Sequence, residues 1–506
     1  MSSNLSTSLF RILTFIFFLL PGGGLTAESV MEQAGDVIVT IEGKVRAIGF
    51  ADLNGDLLDD LIVVASPGPV GGEHASLQIF VQTPKGRFLP LPLSGDWFEK
   101  ISLVDVGNYA VSPGEEVLVV DGVSVKVLGI DRQGNARLAA KPVLLETLFH
   151  APAHRFPHLL NCSIDLNADG CDDAMIPTPK GYALLLSRGD GSFSKPIYLP
   201  SVPEWSIQFS DNTLFSLMSL TGKLQPIQQF GRFPLLVSEI GGKIVGWKLN
   251  PEGDGLLKME SEGSDFGSYS SVVKEGTIEY SGIVFSSVKG RRFPLMVRSH
   301  RQGRTGILAE LKTTHTVYSF SADEASNKLV LTPKQKIATD GIAAAPFFAD
   351  LNVDGHRDLI FLYVKTSVLT KVLEMLLDRV VITCQAHLYQ QGEERYSFGP
   401  DWSEEFSVPA KSFRTVGVEG LLQFNGDYNG DRRPDLVVYA SDRLLIKRGS
   451  EEKGFFSNQE ISFKRRHFYQ IGEPFPGPII SRNLDADACP EIITYGDNMV
   501  RIVHVR

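Results

Sequence analysis

Four segments of this 506-residue chain share one pattern, Asp-x-Asn-x-Asp-x-x-x-Asp followed by apolar residues. They are ADLNGDLLDDLIVV (51–64), IDLNADGCDDAMI (164–176), ADLNVDGHRDLIF (349–361) and GDYNGDRRPDLVV (426–438). A fifth copy, RNLDADACPEII (482–493), places Asn483, Asp485, Asp487 and Glu491 at the same four offsets. Polar residues recurring at fixed offsets along a whole chain mark a repeat architecture. Between these copies, 101–120, 225–249 and 282–299 keep the flanking apolar runs but replace the acidic loop. Anchored at their loops, the units start near residues 52, 105, 165, 228, 288, 350, 427 and 483. A spacing of about 60 residues is too long for a solenoid coil and suits a four-stranded propeller blade with long loops.

Each unit reads as short strands rich in β-branched and aromatic residues, punctuated by Gly and Pro. The expectation is an all-β fold: a β-propeller of about eight four-stranded blades over 28–506, or seven if one degenerate unit is an insertion. The last unit ends after its third strand, and DVIVTIEG (36–43) is a strand without a unit of its own. Joined, the two chain ends would complete one blade and remove two exposed sheet edges. The longest gap holds TSVLTKVLEMLLDR (366–379), whose apolar residues recur at i, i+3 and i+4. That spacing predicts one short amphipathic helical insertion.

Residues 1–27 read as a signal peptide. Arg11 precedes the nine-residue apolar run 12–20, and PGGGLTA (21–27) follows it. Nine residues fit an exported leader's core and fall far short of the roughly 20 needed to span a bilayer. No later run is long and apolar enough, so no transmembrane segment is expected and localisation is extracellular or periplasmic. The formal charge of −10 disfavours nucleic acid as a partner. Four cysteines, Cys162, Cys171, Cys384 and Cys489, are too few to hold up a chain of this size, whether paired or reduced.

Offsets 1, 3, 5 and 9 turn alternate side chains toward one centre, and position 7 can offer a backbone carbonyl. Calcium takes six to eight hard oxygen ligands, which three carboxylates, one Asn amide, one carbonyl and water supply. Magnesium resists losing so many waters, and no soft ligand indicates zinc or copper. The predicted ligand sets are Asp52, Asn54, Asp56, Leu58 (carbonyl) and Asp60; Asp165, Asn167, Asp169, Cys171 (carbonyl) and Asp173; Asp350, Asn352, Asp354, His356 (carbonyl) and Asp358; and Asp427, Asn429, Asp431, Arg433 (carbonyl) and Asp435. The fifth loop offers Asn483, Asp485, Asp487, Cys489 (carbonyl) and Glu491, a poorer set because its first carboxylate is lost. In this reading Ca²⁺ staples each hairpin and performs no chemistry.

The loops and the turn LLLSRGDGSF (184–193) resemble the FG-GAP/VCBS repeat family, whose members form propellers like those of integrin α-subunit heads and of secreted bacterial proteins. The literal Phe-Gly and Gly-Ala-Pro signatures are absent, so integrin-style ligand recognition is not implied. Arg188-Gly189-Asp190 falls where this family places a hairpin turn. His150, His154 and His158 recur every four residues, but Pro152 and Pro157 oppose a helix that could make them a metal site. Trp97, Trp205, Trp247 and Trp402 are expected mainly in the core. With no G-x-S-x-G, H-E-x-x-H or phosphate-cradling loop, the favoured function is a secreted scaffold binding an extracellular protein or glycan in an adhesion-type role. An extracellular polysaccharide lyase or sugar-modifying enzyme is the alternative.

Overall fold

In the computed structural model, the residues described are 37–504 apart from 67–75, 94–100, 112, 132–133, 140, 149–157, 160–162, 202–205, 211–212, 220–224, 228–233, 241–242, 251, 253, 262–276, 287–294, 305–310, 324–325, 345, 366–377, 411–412, 414–420, 440–442, 451–455, 465–479, 486–488 and 496–497. The expected signal peptide, 1–27, lies outside them, as does nearly all of the expected helical insertion. Its last two positions are described, Asp378 in a turn and Arg379 as the first residue of a strand. Among the described residues no helix is long and apolar enough to cross a membrane.

The strands form seven sheets of four or more strands, arranged as a seven-bladed β-propeller, with two further two-stranded ribbons. Unit 1 shows the plan. Lys44–Ala51, Asp60–Ser66, Ser76–Gln82 and Phe88–Leu91 pair antiparallel in chain order, and the acidic loop joins the first strand to the second. Each of the eight segments recognised in the sequence supplies successive antiparallel strands of one sheet, the last of them completed by the first strand of the chain. Eight units occupy seven sheets because unit 4 (Gln225–Ser261) and unit 5 (Thr277–Asp340) share one. The outer strand Leu256–Ser261 pairs in parallel with the outer strand Lys328–Asp340 at Glu260↔Lys328 and Ser261↔Leu329. The count is therefore the smaller one that the sequence allowed, with no repeat lost.

The second strand of a unit is its most buried. Leu61 to Ala65 are fully enclosed, and all of Glu116–Val120, Asp173–Thr178 and Glu491–Tyr495 is buried. Covered on both faces, these strands read as unbroken apolar runs (LIVV, VLVV, LIFL) rather than alternating ones. Trp247 and Trp402 are buried as expected, Trp402 packing on Phe456 at 5.0 Å between ring centroids; Trp97 and Trp205 lie outside the described residues.

The chain ends meet in unit 8. Val37–Thr40 pairs antiparallel with Met499–Val503 and completes the sheet of Ile480–Arg482 and Glu491–Tyr495. Two polar contacts tie this unit to unit 1: Arg482 grips Asp59 with both Nε (2.5 Å) and Nη2 (3.0 Å), and Gln82 Nε2 donates to the Leu484 carbonyl at 3.0 Å.

Candidate metal centres

The four perfect loops fold alike. The carboxylate at position 1 accepts backbone N–H groups from positions 5 and 6: Asp52 from Asp56 and Leu57, Asp165 from Asp169 and Gly170, Asp350 from Asp354 and Gly355, and Asp427 from Asp431 and Arg432. The Asn oxygen at position 3 accepts the position-5 N–H, and the position-5 carboxylate accepts the position-7 N–H at 2.7–3.0 Å. Positions 4 and 6 both have positive φ in every loop: Gly55 and Leu57, Ala168 and Gly170, Val353 and Gly355, Gly430 and Arg432. Left-handed residues on either side of position 5 wind the chain so that positions 1, 3 and 5 share the inside of one curl. Each non-glycine held there costs about 1–2 kcal/mol. Such a conformation persists only where its surroundings over-determine it.

Position 9 does something different. Asp60, Asp173, Asp358 and Asp435 are fully enclosed. One oxygen accepts the N–H of position 2 (Leu53, Leu166, Leu351 and Tyr428) at 2.7–3.0 Å. The other accepts an N–H near the end of the third strand or just beyond it, from Gln82, Ser187, Tyr389 and Gly449, at 2.7–2.9 Å. The position-2 side chain is a buried plug each time. This carboxylate pins the loop to its own blade. Burial pushes Asp60, Asp173 and Asp358 up to about 7 and Asp435 to about 6, with the carboxylates at positions 5 and 1 adding to the rise and the two N–H donors opposing it.

Sequence reasoning missed a sixth copy of this peg. In unit 2, Glu116 accepts the N–H groups of Tyr109 and Ala110 at 2.8 and 3.0 Å, and Tyr109 is fully buried. Aligned on this bond, 108–116 is a loop with Asn108 at position 1 and Glu116 at position 9, lacking the ligands at 3 and 5. The one legible signal was the acid seven residues after a large apolar residue. This loop sits between two acidic ones. Glu115 N–H donates to the Asp52 carbonyl, Asp172 N–H to the Asn108 carbonyl, and Val111 N–H to the Gly189 carbonyl. The Arg-Gly-Asp tripeptide is thus part of a turn, with Asp190 accepting the Ser192 N–H at 2.8 Å. Val111, beside it, is 85% exposed, and Leu57 on the loop of unit 1 is 88% exposed.

At position 7, Cys171 is a buried free thiol that burial and the surrounding acids push up. The His356 ring is buried beside Tyr389, 5.3 Å between centroids. In the fifth loop Asp487 lies outside the described residues, while Glu491 keeps the peg, accepting the Leu484 N–H at 2.7 Å. Its other oxygen meets His504 Nδ1 at 3.0 Å, and Asp485 Oδ2 lies 3.7 Å from the same nitrogen. Among the described residues this is the one place where three His, Cys, Asp or Glu ligand atoms lie within 4.8 Å of one another. Of the three spaced histidines, His150 and His154 lie outside the described residues, and His158 begins a strand.

No family model matches the chain, and no curated protein matches it. Among solved structures it is similar to an Agrocybe aegerita lectin that recognises non-reducing terminal N-acetylglucosamine, at 13% identity over 76% of this chain and 92% of that one, TM-score 0.36. It is also similar to the V. cholerae biofilm matrix protein Bap1, at 9% identity over 96% and 90% of the two chains, TM-score 0.31.

Proposed function

We propose that this is an exported propeller of the FG-GAP/VCBS type in which Ca²⁺ staples the four perfect loops, and that the loop-bearing rim presents a surface to an extracellular protein or glycan. The observation that carries the calcium reading is the four-fold recurrence of one strained loop. Two left-handed residues hold three oxygen-bearing side chains around one curl, and those three positions are Asp, Asn and Asp in all four loops. Positions 4 and 6 accept Gly, Ala, Val, Leu or Arg, so the shape belongs to the ligand set. Asp and Asn oxygens with a carbonyl and waters match what calcium takes.

The binding reading rests on the rim. The loops of units 1 to 3 are joined through backbone hydrogen bonds into one continuous edge, on which Leu57 and Val111 are exposed. Exposed apolar side chains on a braced, loop-built surface are what a binding site requires. Calcium titration of the full mature chain tests the first part: four ions are expected, with one lost for each of Asp56→Asn, Asp169→Asn, Asp354→Asn and Asp431→Asn. Retention on a glycan array or by a surface extract, abolished by chelation and by Leu57→Asp with Val111→Asp, tests the second. No retention together with uronate-releasing activity would reverse it in favour of an enzyme.

A further inference from the structure

The loop of unit 8 departs from the others in a directed way. Its position 9 is Glu rather than Asp, one methylene longer, and the oxygen that elsewhere accepts a third-strand N–H instead faces an imidazole. That imidazole belongs to His504, directly after the strand Met499–Val503 and thirteen residues beyond Glu491. Position 1 has lost its carboxylate to Asn483. Among the described residues, the titratable donors that converge here are one imidazole nitrogen and two carboxylates, a mixed set rather than the all-oxygen set calcium prefers.

We propose that Asp485, Glu491 and His504 bind a transition-metal dication of the zinc class, in place of the calcium expected at the other loops. Imidazole with carboxylate is a donor pair for such ions. Zn–N and Zn–O bonds of about 2.0–2.2 Å put neighbouring ligand atoms roughly 3.0–3.5 Å apart. Two of the three separations are 3.0 Å (His504 to Glu491) and 3.7 Å (His504 to Asp485), and all three lie within 4.8 Å, so closing the set needs movement of the partly exposed Asp485 alone. Glu491 is 2% exposed and held by the Leu484 N–H, so its other oxygen is already aimed at His504; Asp485 and His504 are partly exposed, which gives the ion a way in. The ion would join loop to third strand within the blade that carries both chain ends.

Cobalt serves as the probe, because its visible absorption reports nitrogen and oxygen ligation. With saturating calcium, the full mature chain is expected to bind one Co²⁺ that Zn²⁺ displaces and calcium does not. His504→Gln and Asp485→Asn should each weaken binding by at least about tenfold. Asp485→Asn leaves the His504–Glu491 contact in place, so it separates metal binding from the fold of the blade. Both variants should keep the calcium count of the wild type. Absence of Co²⁺ binding, binding indifferent to both substitutions, or displacement by calcium would overturn the proposal. Loss of calcium dependence at the other loops with the cobalt signal intact would instead count against the calcium reading alone.

Discussion

Within one acidic loop, residues of the same type carry different burdens. Asp56 is exposed and closes only the local curl, whereas Asp60 is enclosed and satisfies two buried N–H groups, one from the loop and one from the end of the third strand. Asp60→Ala strands both donors, and each buried unsatisfied group costs about 1–3 kcal/mol. The expected result in urea unfolding is a large destabilisation of Asp60→Ala with or without chelator. Asp56→Ala should lose only the part of the stability that calcium supplies. The sequence pattern put both on one list, because spacing shows that residues converge but not which of them are buried. Glu116 makes the difference visible, since it keeps the peg in a loop without ligands at positions 3 and 5. His315 is a second residue whose environment has consequences. It is enclosed between Ser299 (2.8 Å), Thr339 (3.2 Å) and the Phe361 ring, and burial, with His387 and Arg301 adding, lowers it from 6.5 to about 3. The unfolded chain takes up this proton first, so His315 costs nothing above about pH 6.5 and its contribution lowers stability progressively as pH drops from there toward 3. The four raised position-9 carboxylates act in the opposite direction over the same range, so the test is a difference: between pH 7 and pH 5 the wild type should lose stability to urea relative to His315→Gln.

At the scale of the element, the contact between neighbouring loops decides what each position tolerates. Position 4 accepts Ala168 and Val353 in other loops despite positive φ, so Gly55 is not required by backbone conformation alone. A Cβ on Gly55 would lie 2.6 Å from the Pro113 carbonyl oxygen of the adjoining loop, whereas one on Gly170 would meet nothing within 4 Å. Gly55→Ala should therefore lower the melting temperature clearly more than Gly170→Ala. Scanning calorimetry of the two variants checks the order, and equal effects would contradict the packing described for the rim. The strands themselves were legible because their second members are unbroken apolar runs after an acid. The sharing of one sheet by units 4 and 5 was not, since it depends on two residue pairs between outer strands with no sequence signature.

For the whole molecule, closure is the feature on which a repeat array depends, since an unclosed ring leaves an edge at each end. The lone first strand and the truncated last unit predicted that closure, and the antiparallel pairing of Val37–Thr40 with Met499–Val503 provides it. His504 escaped notice because its partner loop lies two strands earlier in the chain. Deleting 37–40 should expose Val500 and Ile502, now buried, and produce early loss of unit 8 in hydrogen exchange, ahead of the other blades. The central claim is that calcium holds the loops and the loops hold the ring. An ion bound at 100 times its dissociation constant adds about 2.7 kcal/mol per site. The most direct test is the Tm and protease resistance of the mature chain in calcium and after exhaustive chelation. The account predicts a fall of about 5 °C or more, restored by calcium and diminished in the quadruple variant of Asp56, Asp169, Asp354 and Asp431 to Asn. Unchanged melting and unchanged protease resistance after chelation would contradict it.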